Sequence, residues 1–294
     1  MTFKSLLCHV PPQNDLAEHV RCAANLADEF EATVIGLGSA VAPPFALRSG
    51  GAYAAVDSQW LSILREQHDT AMEAARQVFE AATGDRPRVW RTGWAEPNFA
   101  LTAAARGADL IVVRRPGSSR PDPYTEVDVG PLVIKAGRPV LVCPSSGSHL
   151  GNAPVIVAWK DTREARRALA DALPLIQRAR DVLILECSSE TDPGPATART
   201  EDVARALARH NVTARTEVLS PPSGTGEAIL TRASQLGAEI IVAGGYGHTR
   251  LGEWAFERDA APGIERDQSE RGRRLTQITR RPGRLPHPRG MQSR

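Results

Sequence analysis

Residues 236–247 read LGAEIIVAGGYG, and residues 106–114 read RGADLIVVR. Each is a short apolar, β-branched run after a small-residue turn, the pattern of a strand buried on both faces. Each also follows an alanine-rich helical stretch, 100–106 in one copy and 227–236 in the other. A second pair of segments repeats the relationship. SLLCHVPPQ at 5–13 parallels PVIVAWKDT at 154–162, both apolar strands running into a loop and then a helix. The chain is therefore read as two copies of one unit.

Working outward, the first unit reads as strand 3–10, helix 14–30, strand 32–38, a Gly/Ala/Pro-rich loop 39–57, helix 58–82, strand 88–93, helix 97–106, strand 108–113, an irregular stretch 114–129, a short helix 130–136 and strand 139–143. The second reads as strand 154–159, helix 162–178, strand 181–187, helix 199–210, strand 213–219, helix 225–236 and strand 239–243. Helix 162–178 has an apolar stripe at Ala165, Ala168, Leu169, Ala172, Leu173 and Ile176, with Asp161 or Thr162 as its N-cap. Alternating strands and helices, with strands that are continuous apolar runs, specify an α/β fold: two tandem units of open parallel sheet with helices on both faces. The expected domains are 1–144, a linker 145–152, a second unit 153–256 lacking its last strand, and a tail 257–294.

The tail differs from the body. It holds ten Arg against five acidic residues, so the overall charge of +2 leaves the body at −3. Its only large aliphatic residues are Ile264, Leu275, Ile278 and Leu285, too few to offset the entropy of ordering, and it is read as disordered. It is either a natural basic extension or the product of a changed reading frame. Glu257-Arg258-Asp259 can be encoded by GAG CGT GAC, and the same bases read one position later encode Ser-Val-Thr.

Composition excludes several classes. The chain is 41% hydrophobic and 24% charged, an ordinary globular balance that predicts no nucleic-acid partner. No apolar run approaches the ~20 residues that span a bilayer, and the N-terminus lacks the apolar core of a signal peptide, so a cytoplasmic location and no membrane partner are expected. Cys8, Cys22, Cys143 and Cys187 are scattered without a CxxC pair and read as reduced, mostly buried thiols. The seven histidines show no HxxxH or HExxH spacing, so no metal site is expected.

VIVAWKDTREARRALADALPLI (155–176), LGAEIIVAGGYGHTRLGEWAF (236–256) and AGRPVLVCP (136–144) resemble the universal stress protein family in its tandem form, over about residues 3–256. The resemblance implies an adenine-nucleotide-binding-like fold, and many members bind ATP through G-x-x-G, nine residues, then G-[ST]. Gly244 and Gly247 match the leading glycines, and His248 opens the spacer. Glu257 and Arg258 stand where the closing Gly and Ser/Thr belong. Lys160, within Ala158-Trp159-Lys160, replaces the family's Asp near adenine and ribose. In the first unit Arg114-Arg115-Pro116-Gly117 keeps only the second glycine, and its arginines read either as a phosphate contact or as a solvated strand end. The implied cofactor is ATP or another adenine nucleotide, weakly held in the second unit by Ala158, Trp159, Lys160, Gly244, Gly247 and His248. The implied protein is a regulatory, non-enzymatic one of stress physiology. Its two units form an intramolecular pseudo-dimer, with homo-oligomerisation left open. Two rivals remain: an interaction scaffold without a small ligand, and an ATP-hydrolysing or adenylate-transferring enzyme of the same broad fold.

Overall fold

The computed structural model describes residues 2–12, 17–41, 58–116, 121–143, 152–221, 224–245 and 276–279. In chain order the first unit comprises β1 (Ser5–His9), α1 (Ala17–Phe30), β2 (Thr33–Ser39), α2 (Ser58–Thr83), β3 (Arg88–Gly93), α3 (Pro97–Ala104), β4 (Leu110–Arg114), α4 (Val129–Lys135) and β5 (Val140–Cys143). The second comprises β6 (Val155–Trp159), α5 (Arg163–Ile176), β7 (Val182–Cys187), α6 (Gly194–Ala208), β8 (Ala214–Leu219), α7 (Thr225–Leu236) and β9 (Ile240–Ala243). A last strand, β10 (Thr276–Thr279), lies in the tail.

The strands are ordered β3-β2-β1-β4-β5-β10-β9-β6-β7-β8. Each unit places its first strand between its second and fourth, and within each unit all pairings are parallel, as the buried apolar runs require. Register repeats with topology: Leu6 pairs with Leu110 in one copy, Val155 with Ile240 in the other. Up to Ala243 the second unit supplies four strands against five in the first. The fifth position, beside β9, is taken by β10, parallel to β9 and antiparallel to β5.

That strand corrects the sequence reading of the tail, which assigned none to 257–294. The Thr-Gln-Ile-Thr segment has β-branched residues at three of its four positions, and both its edges are paired here. The rest of the tail lies outside the described residues.

Side chains alternate off the sheet into separate cores. One face runs through both units beneath α1, α2, α5 and α6, with Leu6, Phe79, Leu141, Val157 and Val242 among its buried residues. On this face Arg178 joins the units: its guanidinium lies 4.2 Å from the Phe30 ring centre and donates to the Glu29 carbonyl at 3.0 Å. The opposite face has one cluster per unit, around Leu7, Leu101 and Ile111 beneath α3 and α4, and around Ile156, Leu185 and Ile229 beneath α7. Among the described residues no helix is long and apolar enough to cross a membrane.

Candidate functional site

In open parallel sheets, ligands are met at the carboxyl ends of the strands, where loops rather than ladders use the backbone groups. In the second unit β6 ends at Trp159 and β9 at Ala243, with Ala158 and Ala243 in register. Lys160 and Gly244 therefore leave the sheet from neighbouring strands, Lys160 one residue further along. α5 begins directly after: the Thr162 hydroxyl accepts from the Ala165 N–H at 3.3 Å, so Thr162 is the N-cap, and Asp161 instead pairs with Arg166 at 2.6 Å. Gly244 packs on this helix start. A Cβ there would lie 2.7 Å from the Ala165 nitrogen and 2.9 Å from the Glu164 carbonyl carbon, both backbone. Gly244 is thus required by close approach, and its φ is not positive.

The three residues at the end of β6 separate. Trp159 turns into the core shared with α5, its Nε1 buried without a hydrogen-bond partner. Ala158 packs on the opposite face against the α7 cluster. Lys160 alone of the three lines an open cavity of about 530 Å³, together with Cys187, Ser188, Arg199, Gly224 and Thr225. Gly247, His248, Glu257 and Arg258 lie outside the described residues.

The cavity uses the ends of β7 and β8 as well as β6, and sequence reasoning missed that part. Gly224 precedes α7 with φ 62°, a left-handed conformation that favours glycine. At the other wall Glu186, buried at the end of β7, accepts from Arg199 on α6 at 2.6 Å, and Arg199 also reaches Glu190 at 3.1 Å. These two carboxylates raise the Arg199 pKa above its already high value, Glu186 contributing most. Burial, with the Glu186 charge second, raises the Cys187 thiol. Around the cavity, two cations, Lys160 and Arg199, face three carboxylates, Asp161, Glu186 and Glu190. Such a wall does not attract a polyphosphate strongly.

The first unit presents different chemistry at the equivalent ends. His9, in the repeat position of Ala158, is buried; its Nε2 donates to the Ser39 carbonyl at 3.3 Å, while His19 Nε2 donates to the His9 carbonyl at 2.7 Å. Burial lowers the His9 pKa to about 4, opposed by the Ser39 hydrogen bond and assisted by His19. Arg114 is partly buried, with an unpartnered, buried Nε, so it is not a freely solvated strand end. The void between His9, Pro11, Arg114 and Thr125 is only about 30 Å³. Among the described residues no group of three or more His, Cys, Asp or Glu is arranged to hold a metal ion.

Two units of parallel strands with one topology, each covered by helices on both faces, define an α/β tandem. The chain has the fold of the tandem universal stress proteins. A universal stress protein from Archaeoglobus fulgidus superposes with a TM-score of 0.63 at 14% identity, covering 95% of this chain and 96% of that one. A functionally unknown protein from Pseudomonas aeruginosa PAO1 superposes with a TM-score of 0.50 at 13% identity, covering 95% and 93%. No family model and no curated protein matches the sequence.

Proposed function

We propose that this protein is a non-enzymatic, regulatory stress-response protein of the cytoplasm, whose second unit holds an adenine nucleotide weakly. The observation that supports this reading is the cavity of about 530 Å³ at the carboxyl ends of β6, β7 and β8, within the size range of small-ligand sites. Lys160 is its cationic contact for phosphate, and Gly244, tight against α5, brings the β9 loop toward the same end. The carboxylates around Arg199 and the substituted Glu257 and Arg258 argue for weak binding. The first unit, with His9 and Pro11 at its strand ends, serves as the structural half of an intramolecular pseudo-dimer.

Thermal-shift titration with ATP, AMP and cyclic AMP tests this. A nucleotide at 100 times its Kd stabilises the chain by about 2.7 kcal/mol, and Lys160→Ala should shift that response to higher concentration. No shift with any nucleotide up to millimolar concentration would favour the ligand-free scaffold. Phosphate release above background, abolished together with binding, would favour the enzyme.

A further inference from the structure

Three of the four cysteines meet inside the first unit. Cys8 lies on β1, Cys22 on α1 and Cys143 at the last position of β5, all buried. The Cys143 thiol contacts the Cys22 sulfur at 2.9 Å across 121 positions of sequence. The two sulfurs are already inside van der Waals contact, and closing to the roughly 2.04 Å of a disulfide takes a movement of less than about 1 Å. Both are free thiols in this structure. A contact this short between elements so distant in sequence is set by the packing of α1 on the sheet.

We infer that Cys22 and Cys143 are an oxidation site, forming an intramolecular disulfide that ties α1 to the last strand of the first unit when the protein meets a hydroperoxide. The inference is independent of the nucleotide reading. One sulfur, as thiolate, attacks a peroxide oxygen; the O–O bond breaks, giving a sulfenic acid and, after protonation, water. The other sulfur attacks that sulfenic sulfur, forming the S–S bond and releasing a second water. Two thiols lose two electrons and two protons, and hydrogen peroxide is reduced to two waters. The product closes a long loop and stabilises the fold chiefly by restricting the unfolded chain. It also anchors the β4 end, because the Cys143 carbonyl accepts the Arg115 N–H at 2.8 Å.

The site is gated. The contact with Cys22 and burial together push the Cys143 thiol well above the ordinary range, so few thiolates exist in the closed fold. Oxidation therefore follows local opening of α1 from the sheet and accelerates under mild destabilisation.

The test is peptide mapping of the full chain. The protein is exposed to hydrogen peroxide in buffer with and without sub-denaturing urea. Remaining thiols are then alkylated, and the chain is digested without reductant. The expected product is one dominant linked pair, Cys22–Cys143, two hydrogens lighter than the separate peptides. It should form faster in urea, be reversed by dithiothreitol, and be accompanied by a higher melting midpoint. Cys8→Ala should keep the link, and Cys143→Ala should lose it. The wild-type map alone decides if a variant fails to fold. Dominant links through Cys8 or Cys187, links between molecules, sulfinic acid without a link, or Cys22 and Cys143 both fully alkylated after oxidation in urea would each overturn the inference.

Discussion

The carboxyl ends of the two units follow one repeated plan and differ in opposite directions. In the first unit the position after the apolar part of β1 is His9, a buried neutral imidazole tied to the backbone of β2, and the void beside it has room for about one water. In the second unit the same position is Ala158, and the next polar residue, Lys160, faces a cavity of about 530 Å³. The first end is further covered by its own chain, since the Val41 N–H donates to the Tyr124 carbonyl at 3.0 Å. Residues 246–275 lie outside the described residues. Among the described residues one end is filled and the other bounds a cavity, and matched positions at the two ends carry different side chains.

The strongest way to break the comparison is to ask whether the halves are energetically separate. Leu7 and Ile156 occupy matched places in the central strands, each fully buried under the helices of its own unit. Leu7→Ala and Ile156→Ala should each cost roughly 2–5 kcal/mol. Because one core runs across both units, calorimetry should show a single transition displaced by either change. Two transitions, each moved by only one substitution, would make the halves independent domains.

His9 provides the next largest effect, and only the first unit has it. Its folded pKa of about 4 lies below the ordinary value of 6.5. A histidine buried neutral gives stability that is complete above the unfolded pKa and is lost as pH falls from about 6.5 to about 4, because the unfolded chain takes up the proton first. The loss should approach about 3 kcal/mol, and chemical denaturation at pH 7 and pH 4.5 measures most of it. His9→Gln should flatten that part of the profile; an unchanged slope would move the effect to another group.

Much of this architecture was legible in the sequence, for local reasons. Helix α7 has its expected bounds, 225–236, because Gly224 and Gly237 bracket it, both with positive φ. Helix α6 begins at Gly194, five residues before the expected start at 199: Pro195 falls in its first turn, where a proline costs no hydrogen bond. β10 was not legible, since four residues become a strand only through the two edges that pair with them. The site divides likewise. Lys160 and Gly244 were proposed from repeat and motif and lie at the ends of neighbouring strands, whereas the Glu186–Arg199 pair joins β7 to α6, and no local pattern encodes such a contact.

A glycine substitution sharpens the contrast at intermediate cost. Gly244 touches the backbone of α5, which cannot rotate away as a side chain can. Arg114 stands at the matched position in the first unit, so the demand for glycine is peculiar to the second. Gly244→Ala should cost about 1–3 kcal/mol through overpacking and weaken any nucleotide response. An unchanged melting midpoint would show that the β9 loop yields without loss.

The smallest effect compares two helix starts. Thr162 caps α5 through its hydroxyl, accepting from Ala165 at 3.3 Å, while Asp128 caps α4 through its carboxylate, accepting from Gly130 at 3.1 Å. Either change to alanine should cost about 1 kcal/mol. The two sites differ in what else holds them. Around Asp128, the Asn98 side-chain amide donates to the backbone carbonyl at 2.7 Å and accepts from the N–H at 2.9 Å, so the turn stays fixed when the carboxylate is removed. Thr162 has no such side-chain clamp in its described contacts, and α5 starts beside both Lys160 and Gly244. Thr162→Ala should therefore loosen the start of α5 and increase amide exchange at 163–166, whereas Asp128→Ala should leave exchange at 129–132 nearly unchanged for a similar loss of stability. Equal protection changes at both helices would mean that the open end is held as rigidly as the filled one, and that they differ in chemistry alone.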